Sequence, residues 1–281
     1  MNPKQTGTIL ITCSAGLVDY VHREVQELGY EAGESHKTGL ELRGDQHDAM
    51  RLNLHLRTAY NVLFLLDKFK CKSPAQLYGN VAELPWEDMV SPDEYVSVVG
   101  RVNTNRVNNS MFASLKVKDA VVDRIAGKTG SRPDSGKERD RVVIQLYWKD
   151  DFCRLYLNTS GLKLSDRGYR KMPGKAPLRE SLAAAIMMAT GYDGKEPLVC
   201  PMCGSGTLAI EAALMASRRA PGLLRSNYGF MHMKYFDELA WKQMRSEALK
   251  KSKQRGGKAG FKPAPIIATD IDVEAVEAAR K

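Results

Sequence analysis

Between the apolar run Leu198-Val199-Cys200 and a helical stretch opening near Thr207 stands Pro201-Met202-Cys203-Gly204-Ser205-Gly206-Thr207. Glycines at 204 and 206 remove side chains where backbone must approach a ligand. The free N–H groups of the helix start can then meet a polar or anionic group. The next apolar strand, 265–269, ends at Asp270, with Asp272 beside it. A carboxylate there can accept both hydroxyls of a ribose. Other Gly-rich chemistries fit less well. A phosphate-binding P-loop needs a Lys after its last glycine, and none follows Gly206. A dinucleotide fingerprint wants a third glycine and an acid about 20 residues on. Here Ile210 occupies the region of the third glycine, and Asp270 comes 64 residues after Gly206. Cys200 and Cys203 form a C-x-x-C at a helix start, a competing thiol-disulfide reading. It explains neither the glycines nor Asp270.

The 281 residues carry a net charge of +9, with 43% apolar and 27% charged residues. That composition excludes a collagen, a disulfide-stapled miniprotein and a wholly disordered chain. No apolar run approaches the roughly 20 residues of a membrane span, and the N-terminus lacks a signal-peptide pattern. The expectation is a cytoplasmic protein with no membrane partner. The five cysteines, an odd number, read as reduced thiols. The five histidines have no ligand spacing, and no metal site is expected.

Positive charge is concentrated. Residues 166–281 hold 20 basic and 12 acidic residues, and 101–141 hold ten against five. A polyanionic partner or a merely solvated basic surface would both produce this. Arg106 and Asn109 precede a helix expected over 111–126, capped by Ser110. On it Met111, Leu115, Val122 and Ile125 share an apolar arc that also contains Lys118, while Lys116 lies on the polar face. Arg167, Tyr169 and Arg170 combine cations with an aromatic, a pattern usable by a splayed base, with domain packing as the alternative. Lys250, Lys251, Lys253, Arg255 and Lys258 form the densest basic run.

Three kinds of element must position these groups. Residues 7–13, 17–28, 38–42 and 46–56 read as β-α-β-α, a ferredoxin-like N-terminal unit over 1–56. Residues 57–159 form a second α+β module, with strands at 60–66 and 94–102, a helix opened by Ser73-Pro74, and a hairpin 141–148/152–158 after a polar loop at 127–140. A linker, 160–176, leads to 177–281. There a helix at 178–190, strand 198–200, helix 207–218, a basic helical stretch at 236–254, strand 265–269 and a last helix from Val273 describe the beginning of a parallel, Rossmann-like sheet.

These segments together resemble a known family. Residues 201–207 are similar to motif I of class I S-adenosylmethionine-dependent RNA methyltransferases, and the match points to the bacterial 23S rRNA guanine-N2 methyltransferases that carry a THUMP domain. Arg167-Gly-Tyr-Arg170 resembles the linker motif of that family. Ala176-Pro-Leu-Arg-Glu-Ser-Leu-Ala-Ala-Ala185 resembles its pre-motif helix, Ala220-Pro-Gly-Leu223 the segment after the motif I helix, and Leu115-Lys-Val-Lys-Asp-Ala-Val-Val-Asp123 the THUMP helix. The resemblance implies that S-adenosyl-L-methionine is the cofactor, held by Pro177, Glu180, Pro201, Cys203, Gly204, Ser205, Gly206, Thr207 and Asp270. It implies that 57–159 is the THUMP domain and that large-subunit ribosomal RNA is the partner, met by Arg106, Asn109, Lys116, Lys118, Arg167, Tyr169 and Arg170. A non-catalytic RNA-binding module is the alternative. Two departures stand out. Cys200 occupies a place where the family usually has Asp. The catalytic Asn/Asp-Pro-Pro-Tyr/Phe motif does not occur, so no catalytic residue is expected within these residues, and the methyltransferase domain reads as truncated, either as a fragment or with its remainder on a separate C-terminal methyltransferase segment.

Overall fold

The computed structural model describes residues 5–107, 109–170, 177–257 and 263–280. Lys171, Pro173, Gly174, Lys175 and Ala176 of the expected linker, and Lys258, lie outside them, as do the side chains of Lys253 and Arg255.

The expected two N-terminal units share one sheet. Strands β1 (Gly7–Cys13), β2 (Ser35–His36), β3 (Gly39–Gly44), β4 (Ala59–Lys70), β5 (Tyr95–Asn103), β6 (Asp134–Gly136), β7 (Val142–Lys149) and β8 (Phe152–Asn158) lie in the order β2-β3-β1-β4-β8-β7-β5-β6. β4 makes the join. It pairs antiparallel with β1, Ile9 opposite Phe64, and with β8, Phe64 opposite Leu157. β5 runs parallel to β7 and β6, so the polar loop expected over 127–140 contributes a short edge strand.

Pleat alternation sends one set of side chains to each face. Ile9, Ile11, Leu40, Leu42, Val62, Val96, Ile144, Leu146, Leu155 and Leu157 enter the core, all at most 2% exposed. Helices α1 (Val18–Glu27), α2 (Gln46–His55), α3 (Pro74–Glu83), the short α4 (Trp86–Met89) and α5 (Ser110–Thr129) cover that face. Their starts are chemically specified. Asp45 accepts from Asp48 N while Asp48 accepts from Asp45 N, a reciprocal box, and Ser73 accepts from Gln76 N ahead of Pro74. The other sheet face carries Asn61, Gln145, Arg101, Tyr147, Arg154 and Tyr156.

Helix α5 departs from expectation. Asn109, not Ser110, caps it, its Oδ1 accepting from Met111 N at 2.8 Å, and it continues to Thr129 before Gly130 in the left-handed region stops it. Its buried face is Ala113, Val117, Ala120, Val121, Val122 and Ile125, while Met111 and Leu115 are 67% and 47% exposed. Close approach to β5 selects this face. A Cβ on Gly100 would sit 2.5 Å from Ser114 Oγ, so small residues rather than Met111 and Leu115 face the sheet there.

The C-terminal region holds α6 (Glu180–Ala189), β9 (Leu198–Cys200), α7 (Thr207–Ala216), two 3-10 turns (Pro221–Leu224 and Gly229–His232), α8 (Glu238–Gly257), β10 (Ile266–Ala268) and α9 (Val273–Arg280). β9 and β10 pair in parallel, Val199 beside Ile267. The stretch between α7 and β10 packs elsewhere: Tyr228, Phe230, Met233, Trp241 and Ala248 join the core of the N-terminal body. Tyr228 stacks on Phe230 at 5.1 Å and Trp241 meets Phe230 edge-on at 5.0 Å. No helix among the described residues is long and apolar enough to cross a membrane.

Candidate functional site

The turn between β9 and α7 is built by its glycines. Gly204 (φ +51°) and Gly206 (φ +78°) occupy the left-handed region, where a Cβ is disfavoured. At Gly204 a Cβ would meet nothing within 4 Å, so that side of the turn is open to an approaching ligand. At Gly206 it would lie 3.1 Å from Ala279 Cβ. The turn closes on itself, Gly206 N donating to Cys203 O at 2.9 Å, and is anchored to β10 by Cys203 N donating to Thr269 O at 2.9 Å.

Asp270 is the link between strand end and turn. Its Oδ2 accepts from Gly204 N at 2.8 Å and its Oδ1 from Asp272 N at 3.0 Å. The N–H groups of Asp272 and Gly204 hold its carboxyl below the usual range. Each oxygen keeps a lone pair for further donors. Across the turn, Thr207 Oγ1 accepts from Arg170 Nη2 at 3.1 Å. Arg170 also pairs with Glu180 at 3.0 Å and donates to Leu178 O at 2.8 Å. Burial pushes the Glu180 carboxyl up. Arg170 Nε and Ser181 Oγ are buried and lack a hydrogen-bond partner among the described residues. Unmet polar atoms beside a glycine turn and two carboxylates are what a polar, hydroxyl- and charge-bearing cofactor would complete. Pro201 stands on the exposed side, and Pro177 with Glu180 lines a neighbouring cleft.

The C-x-x-C thiols are not activated. Both are buried, and burial pushes both up, the opposite of a reactive thiolate. No cluster of three metal-ligating side chains exists among the described residues.

The expected RNA contacts divide. Arg167 is a correction: it is 1% exposed, bound to Glu211 at 2.7 and 3.1 Å, and it donates to Arg57 O at 2.7 Å and Leu164 O at 3.2 Å. Tyr169 donates to the same Glu211 at 3.1 Å, and Arg170 is spent on Thr207, Glu180 and Leu178. The linker motif is therefore an internal clamp: its two cations and phenol are consumed by buried carboxylates, leaving Arg167 no surface to offer RNA. The packing alternative is the one the geometry supports. Arg106 is exposed but paired with Asp151 at 3.1 Å, and Asn109 is committed to the α5 cap. Lys116 lies over the Phe112 ring at 5.7 Å, and Lys118 pairs with Asp119 at 3.1 Å beside exposed Met111 and Leu115. These two lysines remain at the surface. Sequence reasoning missed Tyr60, Arg101, Lys163 and Arg179, which the fold gathers from four distant segments.

Comparison with known proteins agrees with this layout. The model of the RlmL ferredoxin-like domain matches residues 8–63, the THUMP domain model 71–158, and an RMKL-like methyltransferase domain model 167–281. A structure described as a "predicted N6-adenine-specific DNA methylase" from Listeria monocytogenes str. 4b F2365 is 30% identical, with a TM-score of 0.83 over 98% of this chain and 70% of that one. The structure of SMU.472 complexed with SAH is 26% identical, TM-score 0.83, covering 99% and 71%. A "possible methylase" from Clostridium difficile 630 is 27% identical, TM-score 0.83, covering 98% and 71%. By its three domain matches and its 30% identity to the Listeria chain, 70% of which it covers, the chain belongs to the methyltransferase family that joins an RlmL-type ferredoxin-like domain and a THUMP domain to an RMKL-like methyltransferase domain.

Proposed function

We propose that the chain is the RNA-gripping and cofactor-holding part of a cytoplasmic enzyme that methylates N2 of a guanine in 23S ribosomal RNA. The observation that carries the cofactor half is the bond from Gly204 N–H to Asp270 Oδ2, which brings glycine turn and acid into one pocket edge. Bound there, S-adenosylmethionine supplies the methyl group. Asp270 would take the ribose hydroxyls, the turn from Pro201 to Thr207 the methionine part, and Glu180 with Pro177 the side of the pocket. The THUMP match and the basic surplus support RNA as substrate. The chain's own residues contribute positioning. They contain no Asn/Asp-Pro-Pro-Tyr/Phe motif, and the reading assigns the acceptor side to a segment that carries one.

Calorimetry with S-adenosylmethionine tests the cofactor half. Gly206→Val should abolish binding, Asp270→Ala should weaken it several-fold, and Cys200→Asp should strengthen it. Wild-type affinity in Asp270→Ala would remove that residue from the site. A methyl-transfer assay on unmodified large-subunit rRNA, with and without a polypeptide bearing the Pro-Pro motif, tests the rest. Nucleoside analysis of the product separates N2-methylguanine from N6-methyladenine, the base named for the Listeria structure. Turnover by these 281 residues alone would overturn the assignment of the acceptor side.

A further inference from the structure

The helix-free face of the eight-stranded sheet and the segment after β8 enclose a cleft of about 820 Å³. Its walls come from β4, β5, β7, the 161–170 segment and the start of α6. Four exposed cations stand around it: Arg101 on β5, Arg139 before β7, Lys163, and Arg179 at the foot of α6. Asp166 and Glu180 are the acids in the lining, and Glu180 is already paired with Arg170. Tyr60 organises two of the cations. Lys163 Nζ and Arg179 Cζ lie 5.7 and 6.0 Å from its ring centre, and Arg179 Nη1 donates to its hydroxyl at 2.7 Å. Gln145, 7% exposed, lines the cleft wall, where its side-chain polar atoms are open to the cleft and make no hydrogen bond among the described residues. Beside it on the same face, Tyr147 and Tyr156 meet edge-on at 5.7 Å, with Arg101 5.9 Å from the Tyr147 ring.

Cations around a rim, and an unpartnered amide on the wall between them, complement one class of ligand. Phosphates suit Lys163, Arg179, Arg101 and Arg139. A primary amide offers two donors and one acceptor to a base edge, which only an unpaired nucleotide can bring into a cleft. Pro177 and Glu180 line this cleft and flank the cofactor turn through Arg170, so a strand lying here runs toward the methyl donor. Resting on the RNA methyltransferase reading, we propose that this cleft seats single-stranded RNA, with one base read by Gln145 and the adjoining phosphates held by the Lys163–Arg179 pair and Arg101.

The test is fluorescence anisotropy of labelled, unstructured RNA oligonucleotides, including the four homopolymers, across a salt series. Lys163→Glu with Arg179→Glu should weaken binding at least about tenfold and reduce the slope of log K against log salt by roughly 0.7 for each phosphate no longer neutralised. Gln145→Leu should leave the slope intact and shrink the difference among homopolymers. Should Gln145→Leu fail to fold, the two exposed cations still decide the matter. Lys116→Glu with Lys118→Glu on α5 serves as the comparison. Loss of binding in the α5 pair with none in the cleft pair overturns the cleft while leaving RNA as substrate. A duplex or DNA oligonucleotide bound more tightly than single-stranded RNA also overturns it. No RNA binding by the wild type at low salt sinks the parent reading itself.

Discussion

Two stretches of the C-terminal region both carry apolar residues and meet opposite fates. The segment from Ala220 to Ala248 buries Tyr228, Phe230 and Trp241 against the N-terminal body. The strands β9 and β10 leave Val199 58% and Ile267 49% exposed, with Ile271 fully so just beyond. The difference is the partner surface. Gly222 lets the first 3-10 turn lie directly on α2, where a Cβ would come within 2.7 Å of Leu54 Cα, and β7 and α2 receive the aromatics. β9 has β10 alone. Apolar sequence thus specifies burial only where topology delivers a second face.

Amide hydrogen exchange should show that contrast most strongly. Amides of β9, β10 and α9 should exchange orders of magnitude faster than those of β4, β7 and α8. Equal protection throughout would erase the distinction. Next in size is the clamp that holds the two regions together. Arg167→Ala leaves Glu211, 0% exposed, without its partner, and should cost about 3–5 kcal/mol in urea unfolding. Arg167→Met with Glu211→Leu should recover most of it. A loss below about 1 kcal/mol for the single variant would mean the clamp does not join them.

Gly222 and Gly204 sharpen the comparison further. Gly222→Val should overpack the seam on α2 and cost about 1–3 kcal/mol, read by thermal unfolding. Gly204→Ala meets open space and should cost about 1–2 kcal/mol, from left-handed backbone alone, felt in the turn and not in the docked segment. The last effect is read against pH and concerns His55 at the end of α2. Burial, then the charges of Lys251, Arg51 and Arg57, push it down to about 4. The unfolded chain takes up that proton near pH 6.5, so stability should fall as pH drops from about 6.5 toward 4 and be restored above it. His55→Leu should flatten that slope in pH-dependent melts.

Much of the fold was legible because local and long-range signals agreed. Ser73-Pro74, the Asp45 box and the alternation of β7 and β8 each announce their element. The join through β4 was not legible, since register between distant strands leaves no local trace, and its twelve residues read as seven. On α5 the arc drawn through Met111 and Leu115 followed hydrophobicity, whereas the fold chose alanine and valine because Gly100 admits close approach. The glycine turn and its acid were readable from Gly204, Gly206 and Asp270, whose conformation and mutual contact are fixed by backbone and charge. Arg167 and Tyr169 were misplaced because a cation beside an aromatic looks the same whether it faces phosphate or a buried Glu211. Tyr60, Arg101, Lys163 and Arg179 become a group only once four segments meet.

The ladder that β4 shares with β1 and β8 has a practical meaning for anyone recombining such proteins. A cut at 56/57 would sever chain just ahead of a strand that both halves need, and each piece would carry half of a broken hydrogen-bonded seam. The ferredoxin-like and THUMP units are therefore inherited as a single cassette. A graft of new RNA specificity should exchange 5–158 whole, with the crossover after Asn158, so that Arg167 and Glu211 come from one parent and meet the backbone carbonyl of residue 57 from the other.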